Sequence, residues 1–284
     1  MNLPTDITKI ILLSDMDGTL LDSASTPSEE NKDAIRRFIE LGGNFGIATG
    51  RGHLNALDFL EGVTINTPSI VYNGSMLYDF KETKVSVVKT LAADALQDFL
   101  HWVMENFKEV MIHVYGMDIC HIITPEEDAD LETLREHQPT TFSNLQDILG
   151  EPWVKLLFSG KNQDLLQLED HLKGSHLDGI ARWVFSADIY LEVLPSSVSK
   201  GTMLTELRRI YGKDYKIVAM GDFYNDIEML READFGFATQ NAPEEVKNAS
   251  DRVTVSNDES AVAEVIKEIL DNKVFGADWV KGSR

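Results

Sequence analysis

The chain has 284 residues, 43% hydrophobic and 26% charged, the balance of an ordinary globular protein with room for about two domains. Its 47 acidic and 26 basic side chains leave a formal net charge of -21, which argues against nucleic acid as a partner, because phosphate backbones are held through clustered Lys and Arg. Cys120 is the only cysteine, so no intrachain disulfide is possible; the start of the sequence lacks a signal-peptide pattern and no apolar run is long enough to cross a bilayer, so a cytoplasmic protein with no membrane partner is expected.

The first element is the apolar run 10–13 in KIILLSDMDGT. Four such residues suit a buried strand or a buried helix equally, and the residues just after them decide. Asp15 and Asp17 are costly to bury unpaired and Gly18 is a poor strand-core residue, so the chain reads as a strand leaving its sheet at an open edge. Residues 27–41 read as a helix with Ala34, Ile35, Phe38, Ile39 and Leu41 on one side and Gly42-Gly43 just past its end. The run 44–51, NFGIATGR, is a second short strand that closes on Thr49 and Gly50. Strand, helix and strand at this spacing make a βαβ unit, which sets Thr49 at the same edge as Asp15. Residues 69–74, SIVYNG, look like a further strand exit.

From about 84 to 187 the pattern changes. Strands are expected at 85–90, 110–115, 118–123, 154–158 and 181–185, with helices at 93–107 and 164–172. The stretch 111–123, turning at Gly116-Met117, reads as an antiparallel hairpin, and 125–150 as helix plus loop. Afterwards the first pattern resumes: a strand at 190–194, an amphipathic helix at 202–211 with Leu204, Leu207 and Ile210 inward, and KIVAMGDFYND at 216–226, another strand ending in acids. A helix at 227–233, a strand at 235–238, a helix start at Pro243 and a last helix at 261–270 complete it. The expected architecture is α/β, with a parallel-sheet core from 1–80 and 188–284 interrupted by an inserted α/β domain at 81–187.

Separate strands thus deliver Asp15 with Asp17, Thr49 with Gly50, and Asp222 with Asn225 and Asp226 to one sheet edge, the place where open α/β sheets bind ligands. Carboxylates and an amide oxygen without paired imidazoles or thiolates form a hard-oxygen site suited to Mg²⁺, and acids this crowded repel one another without a cation. These parts lead to a phosphoryl-transfer reading: Asp15 attacks phosphorus, Asp17 is general acid and base, and Thr49, the Gly50 amide and Lys200 hold phosphate oxygens. Each residue also has a plainer reading. Thr49 suits an N-cap, Lys200 a solvated lysine at a helix start, Asp222 and Asp226 caps of the following helix, and Arg51 and His53 ordinary surface positions.

The motifs DMDGT, ATGR, VSKG and GDFYND, in this order, resemble the four signatures of the haloacid dehalogenase superfamily of phosphatases. The wider wording, YNGSMLYD and LEVLPSSVSKG among it, is similar to the Cof-type sugar-phosphatase branch over roughly 8–80 and 188–270. That resemblance implies a Rossmann-like core with a large α/β cap inserted between Thr49 and Lys200. It implies Asp15 as nucleophile and metal ligand, Asp17 as acid/base whose backbone carbonyl also meets Mg²⁺, and Asp222 as metal ligand. Thr49 and Lys200 are then phosphate binders, and Asn225 contacts the metal shell or the substrate phosphate. The implied activity is Mg²⁺-dependent hydrolysis of small phosphorylated metabolites, sugar phosphates first, through an aspartyl phosphate, by a monomer or homodimer. Gln240, where the family commonly has glycine, and Phe223-Tyr224 depart from the pattern. A phosphomutase of the same fold is the nearest alternative. A phosphoryl-accepting signalling module is the other, although it has no need of an acid at Asp17.

Overall fold

A computed structural model describes residues 6–124 and 139–275. Strand β1 (Ile10–Ser14) is buried at every position, as its unbroken apolar run requires. Helix α1 (Glu29–Glu40) begins slightly later than its apolar period implies, because Ser28 caps it. The Ser28 hydroxyl accepts from the Asn31 amide, and Glu29 and Glu30 occupy the first turn, where the helix dipole favours negative charge. There follow β2 (Asn44–Ile47), the short helix α2 (His53–Leu57), β3 (Ser69–Val71), β4 (Met76–Asp79) and β5 (Lys84–Val88). The middle of the chain holds α3 (Ala93–Asn106), β6 (Met111–Tyr115), β7 (Cys120–Ile122), β8 (Thr140–Phe142), α4 (Leu145–Ile148), β9 (Lys155–Ser159), α5 (Asn162–Leu172), β10 (Ala181–Ala187) and β11 (Tyr190–Pro195). The last part holds α6 (Met203–Tyr211), β12 (Lys216–Gly221), α7 (Ile227–Glu232), β13 (Phe235–Ala238), α8 (Glu244–Ala249), β14 (Arg252–Val253) and α9 (Ala261–Leu270).

Two compact units result. One comprises the described residues up to Arg51, Ala56–Val87 and those from Ser199 onward; the other comprises Gly52–Asn55 and Val88–Val198. The first is built on a five-stranded sheet of order β14-β13-β12-β1-β2, parallel throughout. Period-two alternation in β1 splits its side chains between two cores. Ile10 and Leu12 pack with Ile35 and Phe38 of α1 and Val262, Val265 and Ile266 of α9. Ile11 and Leu13 pack with Leu204 and Leu207 of α6 and Met229 and Leu230 of α7. The sheet is therefore covered on both faces by helices. In the register, Ser14 lies beside Met220 on one side and Ile47 on the other, so β1, β2 and β12 end level. Strands β3, β4 and β5 form a small sheet beyond β2, joined to it by a parallel bridge between Ala48 and Ile70.

The second unit is a six-stranded sheet of order β10-β11-β9-β6-β7-β8. Its β6–β7 hairpin pairs antiparallel, as the turn at Gly116-Met117 implies. Leu96, Phe99, Leu100 and Val103 of α3 and Leu165, Leu168 and Leu172 of α5 cover one face with Ile112, Val114, Leu156 and Phe158.

Several details differ from the sequence reading. The strand at 190–194, expected as the return to the core, is β11, and it pairs antiparallel with β10 and β9 in the second unit, because a tight turn at Asp188-Ile189 makes β10 and β11 a hairpin. Strand β5 belongs with β4 rather than with the insertion, so the units divide at Val87/Val88 and Val198/Ser199 instead of 80/81 and 187/188. Ile210, expected inward, is exposed near the end of α6, and Leu41 is exposed at the end of α1. Within 125–150 the structure holds β8 and α4, while 125–138 lies outside the described residues.

The second face of the six-stranded sheet carries buried polar groups. Lys155 pairs with Glu192 at 3.3 Å and lies over the Tyr115 ring. The His113 Nε2 is 3.0 Å from Ser159 Oγ, its Nδ1 lies near Cys120 Sγ, and its ring is stacked near that of Tyr115. Burial, with the Lys155 charge as a lesser cause, drives the His113 imidazole down from 6.5 to about 3. The unfolded chain therefore takes up this proton first as pH falls. The contribution of neutral His113 is complete above pH 6.5 and is lost toward pH 3, at no more than about 1.4 kcal/mol per pH unit. Urea unfolding at about pH 7 and about pH 5 checks this. Wild type is expected to lose about 2 kcal/mol more across that interval than His113→Gln, whose side chain does not titrate.

Candidate active site

The level ends of β1, β2 and β12 bring three loops together. Asp15 directly follows β1, and its amide donates to the Met220 carbonyl of β12 at 3.0 Å, so the first acid is anchored to the neighbouring strand. Asp222 directly follows β12. The Thr19 hydroxyl donates to Asp222 Oδ1 at 2.9 Å, across 203 residues of sequence. Gly18 lies against Asp222 at φ +74, and a Cβ there would lie 2.3 Å from Asp222 Oδ2. Glycine is thus required twice over, by the left-handed backbone and by the carboxylate against it.

Lys200, just ahead of α6, is wholly buried. Its Nζ donates to Asp15 Oδ1 at 2.9 Å and to Asp226 Oδ1 at 2.7 Å. Asp226 is equally buried, and its Oδ2 accepts from the amides of Asp222 and Phe223, at 3.0 and 3.1 Å. One carboxylate thereby closes the turn after β12 and binds the lysine. Gly221 permits this, since a Cβ there would lie 2.4 Å from Asp226 Cγ.

Three carboxylates, Asp15, Asp222 and Asp226, offer oxygens that all lie within 4.8 Å of one another, and Lys200 is the ammonium that binds two of them. Burial pushes the Asp15 carboxyl well above its usual range, and Asp226 adds repulsion that Lys200 only partly offsets. Burial and Asp226 likewise raise Asp222 to about 7, against the Thr19 hydrogen bond. Burial would lower the Lys200 ammonium, but Asp15 and Asp226 outweigh it and hold the group above its ordinary 10.5. Lys200 stays charged, and the carboxylates exceed it in number. This donor set, all oxygen and short of positive charge, fits a hard divalent cation.

The other residues singled out in the sequence lie around this cluster. Asp17 turns its carboxylate outward, 51% exposed, where Arg51 grips it with two of its guanidinium nitrogens: Nε to Oδ2 at 2.8 Å and Nη2 to Oδ1 at 2.7 Å. Thr49 is buried, and its hydroxyl accepts from the Arg51 amide at 3.1 Å, a local turn bond made ahead of α2, which begins only at His53. Gly50 lies between those two residues. Asn225 Nδ2 donates to Asn73 Oδ1 at 3.0 Å, while its own Oδ1 is buried with no hydrogen-bond partner among the described residues.

Two residues gain a part that their sequence positions do not assign. Asp226 reads in the sequence as a helix cap at this edge; the available signal is its position four residues after Asp222, on a turn tight enough to bring the two together. Arg51 reads as a surface residue. Its signal is adjacency to Thr49-Gly50, at an edge already crowded with acids.

The model of one family, described as haloacid dehalogenase-like hydrolase, matches residues 12–266. The chain belongs to this family. It is a phosphatase of the family's Cof-type branch, a phosphoric monoester hydrolase. A 5-amino-6-(5-phospho-D-ribitylamino)uracil phosphatase of Bacillus subtilis is 32% identical over 287 residues, covering 90% of this chain and 96% of the relative. A pyridoxal phosphate phosphatase of Escherichia coli is 28% identical, covering 91% of this chain and 97% of its own. The crystal structure of a haloacid dehalogenase-like hydrolase from Bacteroides thetaiotaomicron superposes with a TM-score of 0.79 at 25% identity, covering 92% of this chain and 99% of the other.

Cation binding to the carboxylate cluster is measurable apart from turnover. Saturating Mg²⁺ is expected to raise the thermal midpoint by several degrees, since a ligand at a hundred times its Kd stabilises the native state by about 2.7 kcal/mol. Asp222→Asn is expected to lose most of that rise. A wild-type midpoint indifferent to Mg²⁺ and Mn²⁺ would remove the case for a cation here.

Proposed function

We propose that the protein hydrolyses small phosphomonoesters through an aspartyl phosphate on Asp15, with sugar phosphates as the first class to examine. The observation that carries this reading is the buried contact of Lys200 Nζ with Asp15 Oδ1. It fixes one oxygen of the first carboxylate and leaves the other available for attack on phosphorus.

Asp15, Asp222 and Asp226 would hold Mg²⁺, with the unpartnered Asn225 Oδ1 and the Asp17 backbone carbonyl as further oxygens nearby in sequence. When bound, the ion supplies charge compensation for the phosphate oxygens. Asp15 Oδ forms a bond to phosphorus as the ester oxygen departs, and Asp17 delivers a proton to that oxygen. Water then attacks phosphorus, the Asp15–phosphorus bond breaks, and Asp17 takes the water proton. Arg51 orients the Asp17 carboxylate through its two-point contact. Thr49, Gly50 and Lys200 supply a hydroxyl, an amide and an ammonium for the remaining phosphate oxygens, the charges on which catalysis of phosphoryl transfer mainly depends.

The relatives whose names include a ribityl phosphate and a pyridoxal phosphate support small phosphorylated metabolites as the substrate class. A net charge of -21 disfavours anionic substrates in general, so binding has to rest on local cations.

Phosphate release over a panel of hexose phosphates, pyridoxal phosphate and ribityl phosphates, with Mg²⁺, is the direct test. Activity is expected to vanish with EDTA, to return with Mg²⁺, and to fall at least about a thousandfold in Asp15→Asn. Phosphate release undiminished in Asp15→Asn would refute the assigned nucleophile, and an isomeric sugar phosphate in place of inorganic phosphate would reassign the enzyme as a mutase.

A further inference from the structure

The loop that carries Asp17 is held by three asparagine side chains, each on a different carbonyl. Asn31 Nδ2 donates to the Leu20 carbonyl at 3.2 Å, Asn257 Nδ2 to that of Leu21 at 3.0 Å, and Asn241 Nδ2 to that of Gly18 at 2.8 Å. Two of them are tied at the oxygen as well: Asn31 Oδ1 accepts from the Ala263 amide at 2.9 Å, and Asn241 Oδ1 from the Asn257 amide at 3.1 Å. The three are not equivalent. Asn31 and Asn257 are buried, where an amide left unpaired would cost stability, whereas Asn241 is exposed.

An exposed hydrogen bond contributes little to folding, so its place in the loop is what matters. The peptide that joins Gly18 to Thr19 is held at both ends. Asn241 takes its carbonyl, and its N–H donates to the Met16 carbonyl at 3.3 Å. That plane sets Gly18 in its left-handed conformation against Asp222, and it aims the Thr19 hydroxyl at Asp222 Oδ1. Asp17 stands one residue before it. Holding this peptide therefore fixes the direction of Asp17 and the partner of Asp222 together.

We infer that Asn241 is a positioning residue for phosphoryl transfer, acting through the Gly18 carbonyl on Asp17 and Asp222. The inference rests on the catalytic roles proposed above. It concerns placement only, because Asn241 itself bonds to backbone and to none of the acids.

Two variants separate its two contacts. Asn241→Asp retains an acceptor for the Asn257 amide and loses the donor to Gly18; Asn241→Ala loses both without adding charge. Both are expected to keep the thermal midpoint within about 3 °C of wild type, as loss of an exposed contact implies. In both, kcat for phosphate release should fall about tenfold or more with KM within about twofold, the signature of misplaced groups rather than weakened binding. Hydrogen exchange at the Thr19 amide should quicken about tenfold in both while exchange across β6 stays unchanged. Wild-type kcat in either variant, or a fall in kcat with Thr19 exchange unaltered, overturns the inference. Should the wild-type protein release phosphate from no ester, the hydrolytic reading fails on its own account; unchanged Thr19 exchange then rejects the clamp and quickened exchange upholds it.

Discussion

One ammonium shared by two buried carboxylates governs this site. Lys200 comes from the segment just ahead of α6, Asp15 from the residue after β1 and Asp226 from the turn after β12, so their contact is where three chain segments are obliged to meet. Removing one member of such a group leaves an uncompensated buried charge, with a usual cost of about 3–5 kcal/mol. The remaining features depend on that constraint. Asp226 can reach Lys200 only if the turn from Asp222 closes, which its second oxygen achieves by accepting two amides, and only if Gly221 has no side chain. Asp222 is then pressed against Gly18, where Thr19 can hold it.

The same grouping gives the physical reason why a divalent cation would suit this site. Like charges about 4 Å apart repel by about 4 kcal/mol at an effective dielectric constant of about 20, and an arriving phosphate dianion adds to the imbalance. Without further positive charge, burial and mutual repulsion hold the Asp15 and Asp222 carboxyls above their usual range, which works against the nucleophilic part proposed for Asp15. A divalent ion removes both difficulties at once. The acidity of the cluster and the anionic character of a phosphate ester would be reconciled by that third participant.

Much of this is legible in the sequence because strand ends announce themselves. An apolar run followed at once by acids, or by Thr-Gly, can hardly be anything but a strand reaching an open edge, and Asp15, Thr49 and Asp222 lie at such exits. The helices α1 and α9 are equally plain from their apolar period. Partnership across long separations stays hidden. Nothing local distinguishes Arg51, which grips Asp17, from a surface arginine, and nothing in Asn241 reveals that it reaches Gly18 across 223 residues. Strand 190–194 is misplaced for a related reason. Its composition fits either sheet, and only the short turn before it, read as a hairpin, assigns it to β10. Strand β8, short and largely exposed, lacks the apolar alternation that would identify it.

The central strand of the core, β1, has β2 on one side from the same end of the chain and β12 on the other from more than two hundred residues later. The second unit, by contrast, is almost wholly contiguous, from Val88 to Val198. During synthesis from the N-terminus, the inserted unit can therefore fold while the β12 edge of β1 is still bare and its acids are unpaired. Lys200, Asp222 and Asp226 all emerge after it. The last third of the chain supplies β12, which completes the sheet beside β1, and with it Lys200, the ammonium that pairs with Asp15.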